Sequence, residues 1–389
     1  MVSPPYAQQK VLDEYVLRDV TPSIDERHIV FINSSMVCGG AERVITLLTE
    51  YWAGMGTRTT VVTIHSPDRD HYSLDPRVGR VSLDAKRESK NFLDGFGNNL
   101  RRVAKLRRAI RSLRPSVVIS FQDTNNVLTL IASAGLSVPT IVCERNDPRM
   151  KAISPIWAGL RRLVYRRANM LVVQTQSLVE WARKLVGADK VYVLPNPVAQ
   201  PAVTAISPTE RQETIVAVGR LVRQKGFDML LEAISLCDHR WVLEIVGDGP
   251  ERRNLELLAR TLGISDQVRF VGRVTNPGVH YQKAALFVLS SRYEGFPNVL
   301  VEAMACGLPA ISFDCASGPA EIIRHGVDGI LVPPEDAHAL ARAIDTLMMN
   351  PRQRLSMAKR AHEVVHRFAT AKIVSEWDSL IQYVSRCYG

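Results

Sequence analysis

The sequence predicts an α/β protein made of two tandem Rossmann-like domains, each a doubly wound parallel sheet, with a cleft between them. The chain has 389 residues, which exceeds the usual size of about 100–200 residues for one domain. Short apolar runs alternate with helical patterns along the whole chain, which is typical of βαβ units. The segment Pro195-Asn196-Pro197 favours neither a helix nor a central strand, so it divides the chain into two domains.

Each half contains a series of buried, strand-like runs, and each run is followed by a turn and a helix pattern. The predicted strands of the first half are His28–Asn33, Thr59–Ile64, Ser116–Phe121, Thr140–Cys143, Met170–Gln174 and Val191–Leu194. Those of the second half are Thr214–Val218, Trp241–Val246, Val268–Val271, Leu286–Ser290 and Ala310–Phe313. Because helices separate the strands, we expect parallel sheets that bind ligands beyond the carboxyl ends of the strands.

These elements predict four segments. Residues 1–25 should form a flexible extension, 26–197 the first domain, 198–368 the second domain, and 369–389 a helix that crosses back to the first. No apolar run approaches the roughly 18 residues that a membrane-spanning helix needs. The start of the chain lacks the apolar centre of a signal peptide. We therefore expect a cytoplasmic protein.

The segment Ser290–Pro309 carries the strongest chemical pattern. A buried strand ends before a turn at Gly295, and a helix should begin near Pro297. The open N–H groups at the start of this helix can bind phosphate or sugar oxygens. Glu294 precedes the helix and Glu302 lies on it, so one carboxylate can hold a sugar and the other a ribose. The alternative is that both acids only complement the helix dipole.

Basic residues mark the turn after the first strand of the second half. Arg220 and Lys225 lie five residues apart in a turn that starts at Gly219. Both cations can converge on one diphosphate, because Arg binds oxyanions bidentately and Lys acts as a point charge. The alternative is a solvated basic loop.

A pair of glycines, Gly39 and Gly40, follows the first strand of the chain. Paired glycines let a backbone approach phosphate closely before a helix N-terminus, although most such pairs are simple turns. A complete dinucleotide fingerprint is absent, because Gly247-Asp248-Gly249-Pro250 reproduces only part of it. We therefore do not expect a dehydrogenase.

Together these segments resemble the family 4 glycosyltransferases, whose signature is two glutamates separated by seven residues. The resemblance covers nearly the whole chain from about His28, and it implies the GT-B fold and transfer that retains anomeric configuration. It implies that Glu302 binds ribose hydroxyls and that Glu294 contacts the transferred sugar. It also implies that Arg220 and Lys225 bind the leaving diphosphate. The loop that would contact the sugar and diphosphate through its backbone comprises Gly295, Phe296, Pro297, Asn298 and Val299.

Two further stretches resemble the branch of this family that builds cell-surface polysaccharides such as amylovoran. They are Cys315–Ile323 and, on the acceptor side, Cys143–Pro148. In relatives of this kind the first glycine loop faces the donor phosphates, which implies that role for Gly39 and Gly40.

One departure from the family pattern concerns Asp123. Many relatives place a His after the third strand of the first domain, where this chain has Phe121-Gln122-Asp123. Asp123 can take the place of that His and accept a hydrogen bond from a sugar hydroxyl, or it can be the N-cap of the next helix. The triplet Asp68-Arg69-Asp70 spells a metal-binding pattern of a different transferase fold. It lies in a polar loop, so we predict no metal site and no cofactor.

Positive charge is concentrated in the first half of the chain. Residues 1–195 hold 28 Lys and Arg against 18 Asp and Glu, whereas residues 196–389 hold 21 of each. Two amphipathic helix patterns, Asn99–Pro115 and Ile156–Arg167, carry much of this charge. They favour docking on anionic lipid, where each nearby cation adds about 1 kcal/mol; the alternative is a solvated face. We expect no nucleic-acid partner, because no nucleic-acid-binding pattern accompanies the charge.

The sequence thus indicates a retaining, metal-independent hexosyltransferase. Its donor would be a nucleotide diphosphate sugar, a UDP-sugar by analogy with the branch, and its acceptor a polyprenyl-diphosphate-linked saccharide. Its place would be peripheral, on the inner face of the cytoplasmic membrane. Two alternatives stay open: a nucleotide-sugar epimerase of the same fold, and a noncatalytic protein that binds carbohydrate or nucleotide. The noncatalytic alternative is disfavoured because the chain contains all four charged residues of the pattern, Arg220, Lys225, Glu294 and Glu302.

Overall fold

The structure, a computed structural model, describes residues 27–37, 39–85, 92–151, 153–199 and 211–388. The chain divides into two compact units, residues 1–197 with 370–389, and residues 198–369. The predicted extension 1–25 lies outside the described residues. The second unit ends one residue later than the predicted boundary, because Ala369 forms a bridge with Val198.

The first unit contains a seven-stranded sheet in the order β3-β2-β1-β4-β5-β6-β7, and every neighbouring pair is parallel. Six strands match the predicted runs to within one residue. The exception is β3, a short edge strand that the sequence patterns did not indicate. The strands are β1 (His28–Asn33), β2 (Arg58–Thr63), β3 (Gly79–Ser82), β4 (Val117–Phe121), β5 (Thr140–Cys143), β6 (Met170–Val173) and β7 (Val191–Val193).

Helices cover both faces of this sheet, because alternate residues of its strands enter different cores. Ile29 and Phe31 pack into one core, whereas Val30 and Ile32 pack into another. The helices are α1 (Gly40–Gly54), α2 (Phe92–Leu113), α3 (Asp123–Ser133), α4 (Pro155–Val164), α5 (Val179–Val186) and, at the end of the chain, α14 (Thr370–Tyr388).

The C-terminal helix α14 is part of the first unit. Its Trp377 is 1% exposed and lies in the same core as Trp52 of α1. The indole Nε1 of Trp52 donates a hydrogen bond to Asp378 Oδ1 at 3.1 Å. A buried indole N–H needs such an acceptor, so this bond fixes how the two helices meet.

The second unit contains a six-stranded sheet in the order β10-β9-β8-β11-β12-β13, again with all neighbours parallel. Its strands are β8 (Thr214–Val218), β9 (Val242–Val246), β10 (Val268–Gly272), β11 (Leu286–Leu289), β12 (Ala310–Phe313) and β13 (Gly329–Val332), the last being an unpredicted edge strand. Its helices are α6 (Phe227–Ser235), α7 (Arg252–Thr261), α8 (Gly278–Lys283), α9 (Asn298–Ala305), α10 (Pro319–Ile322), α11 (Ala337–Met348), α12 (Pro351–Ala361) and α13 (Val364–Arg367).

Both sheets have the doubly wound topology, in which the strand order reverses once. The reversal lies between β1 and β4 in the first unit and between β8 and β11 in the second. Loops that leave such neighbouring strands diverge and open a crevice, where ligands of doubly wound folds bind. Among the described residues, none of the helices has both the length and the apolar character needed to span a bilayer.

Candidate functional site

The carboxylate of Glu294, in the loop after β11, is the centre of the polar cluster in the second unit. Glu294 is only 5% exposed. Its Oε1 accepts hydrogen bonds from Lys225 Nζ and from Ser291 Oγ, each at 2.6 Å. A buried carboxylate is unfavourable unless it is paired and hydrogen-bonded, and these two donors supply both needs. The structure therefore brings together two predicted residues, Glu294 and Lys225, and adds Ser291, which sequence reasoning missed.

The basic loop after β8 is joined to the loop after β11 by several hydrogen bonds. Gly226 has a left-handed φ of 63°, and a side chain there would collide with the carbonyl of Ser290. Ser290 Oγ donates to the Lys225 carbonyl at 3.0 Å, and the N–H of Arg292 donates to the Gln224 carbonyl at 2.8 Å. Only glycine permits this close approach, so Gly226 is what lets Lys225 reach the Glu294 carboxylate.

Arg220 lies two residues beyond β8 and is exposed. In the described part of the chain its guanidinium has neither an ion pair nor a hydrogen bond. The N–H of the preceding Gly219 donates to the Val246 carbonyl at 3.0 Å, which continues the strand ladder up to the loop. Arg220 thus offers an uncompensated cation at the same sheet edge as Lys225.

The predicted helix after the glutamate loop is α9, which begins at Asn298 with Pro297 in the N-cap position. No side chain caps this helix start, so it can bind an oxygen-rich ligand. Its first turn contains no acidic residue, and Glu302 is the fifth residue of the helix. The alternative that both glutamates serve the helix dipole is therefore wrong. The Phe296 ring is buried against Phe368, with 5.2 Å between the ring centroids.

The Cys315–Ile323 stretch is hydrogen-bonded to the backbone of the glutamate loop. Ser317 Oγ is within hydrogen-bonding distance of the carbonyls of Glu294 and Gly295, at 2.9 Å and 3.3 Å. Ser317 is itself 4% exposed, and its hydroxyl has one proton to donate, for which the carbonyl of Glu294 is the nearer acceptor. This second motif positions the first.

The glycine loop of the first unit precedes α1. Gly39 is the N-cap of this helix and Gly40 its first residue. A side chain at Gly39 would collide with the carboxylate of Glu42, which is 7% exposed. The Oε1 of Glu42 accepts a hydrogen bond from Asn33 Nδ2 at 3.1 Å, so the loop is held against the end of β1.

Asp123 is the first residue of α3, and the N-cap position belongs to Gln122, so the N-cap alternative for Asp123 is wrong by one position. Its Oδ1 accepts from the N–H of Thr124 at 2.6 Å, and its Oδ2 accepts from Lys151 Nζ at 2.9 Å. Burial alone would raise the pKa of Asp123, but the bonds from Lys151 and Thr124 outweigh burial and leave the pKa below its ordinary value. The carboxylate is therefore ionised and already has a cation beside it.

Glu144, in the Cys143–Pro148 stretch, is 3% exposed. Tyr165 Oη donates to its Oε1 at 2.6 Å, and Arg161 Nη1 lies 4.0 Å away. Burial raises the pKa of Glu144 to about 7, and the bond from Tyr165 and the charge of Arg161 only partly oppose this. Glu144 therefore belongs to the interior beneath α4 rather than to an accessible site.

The Asp68-Arg69-Asp70 triplet has a local structural role. Asp70 Oδ2 pairs with Arg80 Nη2 at 2.7 Å, and Asp68 Oδ2 accepts from Ser66 Oγ at 2.6 Å. Within the ranges that the structure describes, no three His, Cys, Asp or Glu side chains form a group suited to a metal ion.

The basic residues of α2 do not all face solvent. Arg102 Nε donates to the Ala85 carbonyl at 3.1 Å, and Arg107 Nη1 donates to the Ala132 carbonyl at 2.8 Å. Both cations thus tie the helix to the rest of the unit. The exposed cations of the helix follow one another at helical spacing and are Arg101, Arg108 and Arg111.

Two family models match adjoining parts of the chain. The model described as "Glycosyl transferase 4-like domain" matches residues 39–197, and the model described as "Glycosyl transferases group 1" matches residues 203–364. The division between the two matches coincides with the division between the two structural units.

Several curated proteins are similar to this chain. An α-1,4-N-acetyl-D-galactosaminyltransferase of Campylobacter jejuni, whose name specifies a diNAcBac-PP-undecaprenol-linked acceptor, is 30% identical over 362 residues, 92% of this chain and 98% of that protein. The amylovoran biosynthesis glycosyltransferase AmsD of Erwinia amylovora is 25% identical over 369 residues, 91% of this chain and 99% of that protein. An exopolysaccharide phosphotransferase of Streptomyces coelicolor is 35% identical over 292 residues, 72% of this chain. This chain spans 30% of that protein's length.

Solved structures share the fold. A sucrose-phosphate synthase from Thermosynechococcus elongatus superimposes with a TM-score of 0.82 at 20% identity, covering 93% of this chain and 100% of that one. Anabaena HepE in complex with UDP superimposes with a TM-score of 0.76 at 19% identity, covering 92% of this chain and 100% of that one. The predicted GT-B fold is confirmed by these neighbours.

We predict that Glu144→Gln changes how stability depends on pH. The folded protein keeps a proton on Glu144 that the unfolded chain releases between pH 4.5, its ordinary pKa, and about 7. Wild-type stability contributed by this group is therefore lost as the pH rises through that window. A glutamine at position 144 does not titrate, so the variant does not lose this stability. The free energy of unfolding of the variant minus that of wild type should therefore increase from pH 4.5 to 7. Urea unfolding at several pH values measures this difference, with exposed Glu180→Gln as baseline. A difference that does not change with pH would contradict the assignment.

Proposed function

Because this chain belongs to the group 1 glycosyltransferase family, we propose that it transfers a hexose from a UDP-sugar to a saccharide linked to a polyprenyl diphosphate. The observation that carries this proposal is the contact between Lys225 and Glu294. The contact joins Lys225 and Glu294 at the strand reversal of the second unit, and we propose that this lysine binds the diphosphate and this carboxylate the sugar.

The donor would bind in the second unit. Arg220 is exposed and unpaired among the described residues, and Lys225 lies in the same loop, so two cations can meet the two phosphates of the donor. The uncapped start of α9 adds backbone N–H groups. Choosing UDP rather than another nucleotide rests on the similarity to HepE, whose structure contains UDP.

We propose that the transfer retains the anomeric configuration and uses no metal ion. The acceptor hydroxyl attacks the anomeric carbon on the face from which the diphosphate leaves, and a donor phosphate oxygen takes the hydroxyl proton. Arg220 and Lys225 stabilise the charge that develops on the leaving diphosphate, a contribution that is usually large. Glu294 holds the sugar hydroxyls, and no protein nucleophile is needed.

The acceptor and the location are proposed from the relatives and from charge. The Campylobacter relative is named for an undecaprenol-linked acceptor, and AmsD for amylovoran biosynthesis. We propose a peripheral position on the inner face of the cytoplasmic membrane. Leu100 of α2 is 55% exposed and Leu163 of α4 is 69% exposed, and both lie beside exposed arginines. Apolar and cationic side chains together suit an anionic lipid interface.

Arg220→Ala and Lys225→Ala should each weaken UDP binding, because each removes a charge-assisted contact worth about 1.5–3 kcal/mol. Isothermal titration calorimetry with UDP measures the loss. Arg223→Ala is the matched control, since Arg223 is an exposed cation of the same loop and should leave the affinity unchanged. Unchanged affinity in both test variants would refute the diphosphate assignment.

Substitutions at Glu302 and Glu294 should have different effects on UDP affinity in the same assay. Glu302→Gln should weaken UDP binding, because a ribose contact exists without any sugar. Glu294→Gln should leave UDP affinity near wild type and reduce turnover, because its contact requires the sugar. The assigned roles fail if both variants bind UDP normally or if both lose it equally.

Replacing Arg101, Arg108 and Arg111 together by Gln should release the protein from anionic vesicles. Wild-type binding should also fall as salt rises, because exposed charges are screened beyond about 10 Å at 0.1 M. Co-sedimentation with neutral and anionic vesicles measures both effects. The control replaces three exposed cations of the second unit, Arg253, Arg260 and Lys359. If the wild-type protein does not bind anionic vesicles at low salt, the proposed docking of this surface on a membrane is wrong.

A further inference from the structure

Arg145 occupies a distinctive place in the first unit. It lies two residues after the end of β5. In the sheet, β5 is next to β4, and β4 is next to β1 at the strand reversal. Its guanidinium carbon lies 4.0 Å from the centroid of the Phe121 ring. Its Nη2 donates a hydrogen bond of 2.7 Å to Asn196 Oδ1. Phe121 is fully buried and Asn196 is 4% exposed, so a buried ring and a buried amide both contact the guanidinium.

The charge of Arg145 is compensated only in part, by the carboxylate of Glu42, which opposes the effect of burial on the pKa of Arg145. Across the residues that the structure describes, no carboxylate lies within ion-pair distance of it, and its buried Nε has no hydrogen-bond partner. Burial lowers the pKa of Arg145 to about 10, which still leaves it cationic at neutral pH. Holding a partly buried cation without an ion-pair partner is unfavourable, so the protein maintains this arrangement at a cost in stability.

Neighbouring cations in the same segment are paired. Arg149 binds the carboxylate of Asp147 with Nη2 at 2.6 Å, and Lys151 binds Asp123 at 2.9 Å. The absence of a carboxylate beside Arg145 is therefore not general for the loops at this end of the sheet. A rigid, unpaired guanidinium with free donors is a suitable receptor for a planar or tetrahedral oxyanion.

We propose that Arg145 binds a phosphate group of the acceptor. This inference rests on the proposed function, because a polyprenyl-diphosphate-linked saccharide carries such a group. The donor diphosphate is the other source of the same chemistry, but Arg220 and Lys225 of the second unit already supply cations for it. Asn196 Oδ1, which also accepts a hydrogen bond from Gln174 Nε2 at 2.6 Å, positions Arg145.

The test is calorimetric titration of inorganic pyrophosphate into the full chain, with and without saturating UDP. UDP occupies the donor site, so pyrophosphate binding that persists in its presence reports a different anion site. We expect binding to persist, and Arg145→Gln to raise the pyrophosphate Kd at least tenfold. Arg145→Lys, which keeps the charge, should retain more of the affinity. Arg183→Gln is the matched control, since Arg183 is an exposed arginine of α5 in the same unit.

A second variant keeps the inference falsifiable if Arg145→Gln fails to fold. Asn196→Asp places a carboxylate against the guanidinium with almost no change in volume, so it should weaken pyrophosphate binding as well. Unchanged affinity in the Arg145 and Asn196 variants, or binding that disappears when UDP is present, would overturn the inference. UDP affinity is measured separately in the wild-type protein. If the wild-type protein does not bind UDP, the proposed function is contradicted. The inference about Arg145 is judged by pyrophosphate binding alone.

Discussion

The ion pair between Lys225 and Glu294 is the contact on which the site of the second unit depends. It joins the loops that leave β8 and β11, two neighbouring strands whose loops otherwise diverge. Removing Lys225 would leave the Glu294 carboxylate buried without its cation, which typically costs about 3–5 kcal/mol. The pair therefore fixes the shape of the site before any ligand arrives.

The surrounding residues make that pair possible. Gly226 allows the basic loop to approach Ser290, Ser291 shares the bound carboxylate oxygen, and Ser317 holds the carbonyl of Glu294. The glutamate signature and the Cys315–Ile323 stretch are thus parts of one hydrogen-bonded assembly. The second stretch therefore supports the glutamate loop through hydrogen bonds to its backbone.

Much of the fold could be predicted from the sequence, because central parallel strands are continuous apolar runs between helices. The strands that escaped prediction, β3 and β13, are four-residue edge strands with partly exposed residues. The charged residues of the predicted site were recognisable because their segments resemble the signature of a known family. Ser291 was not recognisable, because a serine in a sequence shows no role until folding brings its hydrogen-bond partner near. Helical periodicity predicted the basic face of α2, but it could not show that Arg107 is bound to carbonyls of the neighbouring helix.

The chain order of the two units has a consequence for synthesis on the ribosome. The first unit is completed by α14, the last helix of the chain, whereas the second unit is continuous from residue 198 to 369. Domains generally fold as they emerge, starting from the N-terminus. Here the second unit can finish folding first, while the nascent first unit waits with the apolar surface around Trp52 uncovered. Until α14 emerges, that apolar surface stays exposed to solvent, and exposed apolar surface favours aggregation.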